Sequence, residues 1–527
     1  MGGKRWGTRV SGDSGTKTEA GKRPYLELHQ KLLVAVVLFV IAAFVQAFNC
    51  FDLSAQHDEA AAELSSLVRA PFAANRGAAA TAAPVTVLLV DDGVRRDLGF
   101  DTAYLPYDKL AQTLKAIIAA KPKAIFLDYA YQRSTTEDAR PPQGGGKSGL
   151  QQLIDVLPDK GKGVPIYAGP IGDSGDLANL RKKISTVGIS WHAEHRLDYP
   201  FDGNSDFTRG ESDAVATAAP AIYRNLCIKP DAGIDCSGRQ AIDGMFSGNV
   251  VRLDKAPPAM FLNYLPYTGE GLYRQSDACK GEPRGDAFAR QAWARTVLRT
   301  INGDDTRGPS KCIDVPHFSL SDVMTPDFDG AGFNVLPDYA KAYITGKVVM
   351  IGDSSGTDRF DAPVFGRMDG VFQHAIALQT LMRDGSRYTR WADGPAVDHK
   401  GRESARLPWN FLLESLISFC VLAAILVADR PAPESGAPKG GARTGEVARR
   451  TRLIIFVLAL GGATAAIEAR NHWPLANLLN IAGGVLGVLA ITELDKIISR
   501  RWPVLVATLV AGALVLGGGY ALLRSWV

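Results

Sequence analysis

The run Leu32–Phe48, LLVAVVLFVIAAFVQAF, carries no charged residue and follows directly on Lys31. A bilayer crossing takes roughly 20 apolar residues at 1.5 Å each, so this run covers most of one. Ahead of it Lys4, Arg5, Arg9, Lys17, Lys22 and Arg23 lie in a Gly/Ser/Thr-rich stretch that reads as disordered. Positive charge beside a first apolar segment holds that flank in the cytoplasm. Val45-Gln46-Ala47 would pass as a processing site, but the long polar flank favours an uncleaved anchor over a signal peptide. Phe48-Asn49 before Cys50 does not make a lipoprotein signal. Residues 1–30 are therefore read as a basic cytoplasmic tail and 31–50 as a first transmembrane helix.

Further apolar runs begin near Phe411, Leu453, Leu475 and Val504. They give expected helices over 408–429, 453–469, 473–493 and 503–523, the second and third joined by a polar turn at Glu468, Arg470 and His472. The intervening loop 430–452 holds Arg430, Lys439, Arg443, Arg449, Arg450 and Arg452 against Glu434 and Glu446. With that loop and the basic stretch Lys496–Arg501 inside, residues 51–407 lie outside. The chain is then a multi-pass protein of the cytoplasmic membrane with a large extracytoplasmic domain. Its 59 basic and 55 acidic residues nearly balance, which excludes bulk charge as a reason to expect nucleic acid.

Cys227, Cys236, Cys279 and Cys312 all fall in the external segment, an even number in an oxidising compartment. Four cysteines allow three pairings. Loop closure favours Cys227–Cys236 and Cys279–Cys312. Disulfides are expected over a zinc site, because the spacings are irregular and no C-x-x-C pair exists.

Val85–Val90 is a nearly continuous apolar run ending in Asp91-Asp92-Gly93. Such a run fits a strand buried on both faces, as in a parallel sheet. Asp108 to Ala120 has helical spacing at Leu110, Leu114, Ile117 and Ile118, with Asp108 as the expected cap. Ala124–Asp128 is a second buried strand, so the three pieces read as a β-α-β unit with a right-handed crossover. A helix over Leu150–Leu157 and a short strand over Val164–Ala168 follow. From about Asp202 to Asp305, Gly, Pro and Asp break the pattern, and this stretch reads as an excursion around the core. Regularity returns with a strand over Lys347–Asp353 and a helix over Val371–Met382. The expected fold class is an α/β domain, its sheet mixed or mostly parallel with flanking helices, plus α-helical transmembrane segments.

The order of these pieces resembles the CHASE2 family of bacterial extracytoplasmic sensor domains. The resemblance rests on VTVLLVDDG (85–93), AAKPKAIFLDYAY (119–131), PHFSLSDVM (316–324) and GKVVMIGDSSGTDRFDAPVF (346–365), continuing into MDGVFQHAIALQTLM (368–382). It covers roughly 52–400, and it implies sensing or signal input. Family members commonly join the sensor to a cytoplasmic kinase or cyclase. Here only DKIISRRWP and a fifth helix follow the helix ending near Thr492. The resemblance therefore implies output through a separate membrane-protein partner or effector, with a homo-oligomer as a further option. A structural scaffold subunit of an envelope complex is the alternative.

Ligands of parallel α/β sheets sit beyond the carboxyl ends of the strands. The strand-end residues Asp91, Asp92, Asp128 and Asp353, with Asp358 or Asp361 from the following loop, are therefore the candidate ligand-binding set, against the plainer reading that they cap helices and shape turns. Gly352-Asp353-Ser354-Ser355-Gly356 has the look of a serine-nucleophile motif, but no base and orienting acid accompany it, so no catalytic residue is assigned. His192, Glu194 and His195 cannot share one face of a strand, so no metal is expected. His374 reads as a packing residue. No Walker loop and no G-x-G-x-x-G after a strand is present, and no cofactor is expected. Within the apolar segments Glu414, Asn477, Asn480, Gly483 and Gly487 are candidates for a partner interface, or for packing within the chain's own helices.

Overall fold

The computed structural model describes, within residues 84–388, the segments 84–100, 105–131, 146–172, 175–189, 198–204, 214–245, 259–281, 311–326, 333–354 and 358–388, apart from short breaks, with residues 102 and 463 standing alone. The five expected membrane segments and their loops lie outside the described residues, and with them Glu414, Asn477, Asn480, Gly483 and Gly487, as do His192, Glu194 and His195. Among the described residues no helix is long and apolar enough to cross a membrane.

In chain order the domain begins with β1 (Val85–Val90), α1 (Asp92–Leu98), α2 (Tyr107–Ala119), β2 (Ala124–Leu127), α3 (Gly149–Val156), β3 (Ile166–Ala168), α4 (Asp176–Lys183) and β4 (Ser185–Thr186). The middle holds β5 (Asp198–Pro200), β6 (Asp202–Asn204), β7 (Ala214–Ala216), α5 (Ala218–Leu226), α6 (Arg239–Met245) and β8 (Ala259–Phe261). Then come β9 (His317–Ser319), α7 (Leu320–Val323), β10 (Thr325–Pro326), β11 (Phe333–Val335), α8 (Asp338–Lys341), β12 (Val348–Asp353), β13 (Arg359–Ala362), β14 (Gly366–Asp369) and α9 (Val371–Asp384).

Six strands form one sheet in the order β4-β3-β2-β12-β1-β9. Every pairing in it is parallel. Its two faces are buried under different helices. Val85, Val87, Phe126, Tyr167 and Met350 point into a core completed by α5 and α9. Leu88, Val90, Ile125, Leu127 and Ile351 point into a second core under α1, α2, α3, α4 and the short helices α7 and α8. Burial on both faces is why these strands are apolar at successive positions and do not alternate with polar residues.

One expectation changes and another gains detail. The β-α-β reading stands, with Val85–Val90 and Ala124–Leu127 parallel in one sheet, and β12, from far along the chain, lies between them and pairs with both. Asp108 is not the cap of its helix: the helix starts at Tyr107 after Pro106, and Asp108 sits in the first turn. A carboxylate there still favours the helix through its dipole. The helix α1 is an addition. Asp91 ends the strand and caps this helix, its carboxylate accepting from Val94 N at 2.9 Å, and Gly99 closes it in the left-handed region at φ 66°.

The excursion carries structure of its own, in the antiparallel pairs β5–β8 and β6–β7. Cys227 is bonded to Cys236 and Cys279 to Cys312. The first bond ties the end of α5 to the segment leading into α6. The second brings the distant 279 region against the approach to β9.

Candidate functional site

The parallel order puts the carboxyl ends of β1, β2 and β12 side by side, and three of the five candidate carboxylates meet there. Asp353 is the last residue of β12, and Asp128 directly follows β2, its backbone N–H donating to Ile351 O at 2.8 Å. Asp358 comes from the loop before β13, where its carbonyl accepts from Gly370 N at 2.8 Å. A Cβ on Gly370 would collide with the Asp358 carboxyl, so glycine is what lets this loop close on the start of α9.

Asp91 and Asp92 take other roles. Asp91 is used as the helix cap, which is the plainer of its two readings. Asp92 stands at the exposed rim and is linked to the cluster through Arg95, which pairs with it at 2.8 Å. The same guanidinium pairs with Asp353 and donates from Nε to Thr102 O at 3.2 Å. The side chain of Asp361 lies outside the described residues. Asp369, at the end of β14, joins the cluster and pairs with Arg359 at 3.1 Å.

Asp92, Asp353 and Asp369 therefore have guanidinium partners, while among the described residues Asp128 and Asp358 have none. The electrostatics follow. Burial raises Asp128 well above the usual carboxyl range, and the charges of Asp358 and Asp353 raise it further. Asp358 is raised by desolvation and then by Asp353. Desolvation also raises Asp369, against the pull of Arg359.

Behind Asp128 lies His374 of α9, only 2% exposed, with Nε2 3.6 Å from Asp128 Oδ1. Burial lowers its pKa to about 3, so the ring is neutral and the pair is not an ion pair at neutral pH. The Tyr199 hydroxyl accepts from Ala219 N at 3.1 Å and lies 2.7 Å from His374 Nδ1. The same hydroxyl also bonds the Thr217 side chain, so Tyr199 ties the His374 ring to the start of α5. Thus a helix on one face of the sheet touches the most buried carboxyl of the crevice.

Tyr129 completes the site. It is 8% exposed, and its hydroxyl has no hydrogen-bond partner among the described residues. Burial raises its pKa well above 10.0, with Asp353 and Asp128 adding to the shift and Arg95 opposing it, so the hydroxyl sits within the field of all three. Ser354 is held by its backbone, N–H to Val90 O at 3.1 Å and carbonyl accepting from Arg359 at 2.8 Å. Among the described residues no three His, Cys, Asp or Glu side chains are placed to hold a metal ion.

Arg95, Arg359, Asp369 and Tyr129 were not in the sequence-derived set. Arg95 had a local signal, one turn beyond Asp91 and Asp92 on the same helix. Tyr129, next to Asp128, had none.

The model of the CHASE2 domain family matches residues 34–400, most of the chain, and the chain belongs to that family. It is a family of extracytoplasmic sensor domains, and the two disulfides fit that oxidising location. No curated protein and no solved structure matches the chain.

Proposed function

We propose that this chain is a membrane-anchored sensor whose input site is the crevice at the carboxyl ends of β1, β2 and β12. A small molecule or an envelope partner binds there without turnover. The observation that carries the reading is Asp128, a buried carboxyl that among the described residues has no cationic partner, beside a Tyr129 hydroxyl likewise without one for hydrogen bonding, and in contact with α9 through His374. A buried polar group left unmade is costly, by about 1–3 kcal/mol, and an incoming donor or cation recovers that cost. Whatever changes the charge of Asp128 also changes what His374 faces, and so acts on α9.

From α9 the event passes toward the C-terminal apolar segments. Glu414, Asn477 and Asn480 are expensive in a bilayer unless they face protein, and Gly483 and Gly487 permit close helix approach. These residues suit contact with a separate membrane protein that carries the signal onward.

A thermal-shift screen of the purified full-length chain against small molecules tests the reading. A compound that stabilises the parent and fails to stabilise Asp128→Asn and Tyr129→Phe is the expected result. Failure of every compound, together with co-purification of a stoichiometric partner indifferent to both substitutions, would favour a scaffold subunit and defeat the sensor.

A further inference from the structure

The C-terminal half of α9 makes a second polar contact, at Gln379, about 7.5 Å along the helix from His374. Gln379 Nε2 donates to the carbonyl oxygen of Asp314 at 2.8 Å and to its carboxylate at 2.9 Å. That contact fixes the orientation of the amide. Its nitrogen is spent on Asp314, and its Oε1 is buried with no partner among the described residues. Gln379 as a whole is 8% exposed.

Both residues line a recess walled by Leu265, Val315 and Ile376 and bordered by Arg383. The recess has room for one water-sized group and opens to solvent on one side. Arg383 turns Nε and a terminal nitrogen onto Asp384, at 3.0 Å each. No cation among the described residues lies within ion-pair distance of Asp314. Among the described residues, this small concave site therefore holds a carboxyl with no ion-paired cation, Arg383 standing at its rim, and a buried acceptor without a donor, beside apolar walls.

We propose that this recess binds the head of a primary alkylamine. The ammonium donates one hydrogen to the Asp314 carboxylate and one to Gln379 Oε1, and the third faces the opening. The alkyl chain lies along Leu265 and Ile376 toward solvent. Each feature selects. Two acceptors exclude an anion, the carboxylate favours a cation over an alcohol, and the size of the recess excludes a trimethylated nitrogen.

Binding requires Asp314 ionised, and burial pushes its carboxyl up to about 7, against the opposing influence of Arg383 and Gln379. Among the described residues Arg383 is the charge that acts on Asp314, with Asp384 paired to Arg383 on α9, while Lys311 and His317 lie three residues to either side on its own segment. Burial lowers His317 to about 4, so its ring is neutral here. Asp314 is then the group that changes charge around neutrality, and amine affinity rises with pH.

The test is a titration of the purified full-length chain with propylammonium chloride, followed by thermal shift and ligand-observed NMR. Tetramethylammonium chloride and sodium chloride at equal ionic strength are the controls. Saturable binding by propylammonium alone is expected, tightening about tenfold between about pH 6 and about pH 8 as the ionised fraction of a group titrating near 7 rises. Asp314→Asn should weaken it about tenfold or more and remove the pH dependence. Gln379→Met keeps the side-chain volume and should weaken it too, which gives an independent variant should Asp314→Asn fail to fold. An equal response to tetramethylammonium, binding unchanged in a folded variant, or no saturable response to propylammonium would each overturn the site.

Discussion

A carboxyl buried among other carboxyls makes folding depend on pH, and Asp128 is the clearest instance. Its folded pKa lies well above the ordinary 3.8, chiefly through burial and then through Asp358 and Asp353. Between the two values the folded chain holds the proton more tightly than the unfolded chain, so stability falls as pH rises through that window. Asp128→Asn keeps the shape and removes the titration. It should be more stable than the parent at about pH 7 and lose that advantage below about pH 3, as read by thermal denaturation. An Asn variant less stable than the parent at neutral pH would show that the carboxylate is ionised and compensated. Gly352 illustrates a purely steric constraint. Its φ is not in the left-handed region, but a Cβ there would run into the Val371 side chain inside a closed core. Gly352→Ala should cost about 1–3 kcal/mol through overpacking, and Val371→Ala in the same chain should restore part of it. Additive losses in the double variant, measured by denaturant unfolding, would place the strain elsewhere.

At the scale of elements, the two disulfides differ in what they hold. Cys227–Cys236 closes a separation of 9 residues and Cys279–Cys312 one of 33. In the chain-entropy account the longer loop contributes more, by about 1 kcal/mol between these two. Replacing Cys279 and Cys312 by Ala should therefore lower the unfolding free energy further than replacing Cys227 and Cys236, by urea denaturation under oxidising conditions. The reverse order would point to the 279–312 bridge being offset by strain or by residual denatured structure. How these elements read in the sequence follows from the same physics. The central strands β1, β2 and β12 were legible because burial on both faces writes a continuous apolar run, and α9 because one long helix keeps its period. The excursion was not. Its strands are three residues long, and β5 finds its partner β8 about sixty residues away, so no local pattern marks the pairing. The insertion of β12 between β1 and β2 was hidden for the same reason. The carboxylates at the strand ends could be listed from the chain, but not sorted. Only the folded arrangement gives Asp91 to a cap, pairs Asp353 with Arg95, and leaves Asp128 beside a Tyr129 hydroxyl that has no partner among the described residues.

At the scale of the whole molecule, α9 touches both ends of the sheet, through His374 at Asp128 and through Gln379 at Asp314. The crevice and the amine recess are thus joined by one rigid element, and a shift of that helix is the simplest way for either to act on the segments that follow it. Titration also pulls from two sides. His374 and His317, lowered to about 3 and about 4, lose stability for the folded chain as pH falls below 6.5. Asp314, raised to about 7, loses it as pH rises above 3.8. Below about pH 6.5 the two directions oppose each other; above it the histidine contribution is complete while the loss at Asp314 and Asp128 continues. Thermal stability should therefore fall between about pH 6.5 and about pH 8, and a rise across that range would contradict the raised carboxyls. All of the proposed function depends on the domain facing away from the cytosol, and the proposed membrane arrangement rests on the basic flanks. The loop 430–452 carries six Lys and Arg against two Glu, and the tail before Lys31 is basic as well, so the positive-inside rule predicts both on the cytoplasmic side, with the extracytoplasmic domain between them. Gly175 is exposed, lies in the left-handed region at φ 55° and stands just before α4, a place where an insertion disturbs little packing. Alkaline phosphatase, which needs its own disulfides, should be active when inserted there and inactive when inserted at Gly440, while a fluorescent protein that folds only in the cytosol should give the opposite pair. A cytosolic result at Gly175 would put Cys227–Cys236 and Cys279–Cys312 in a reducing compartment that keeps thiols apart. Both bridges, the sensor reading and the passage of a signal inward would then fail together, because each requires the domain to face away from the cytosol.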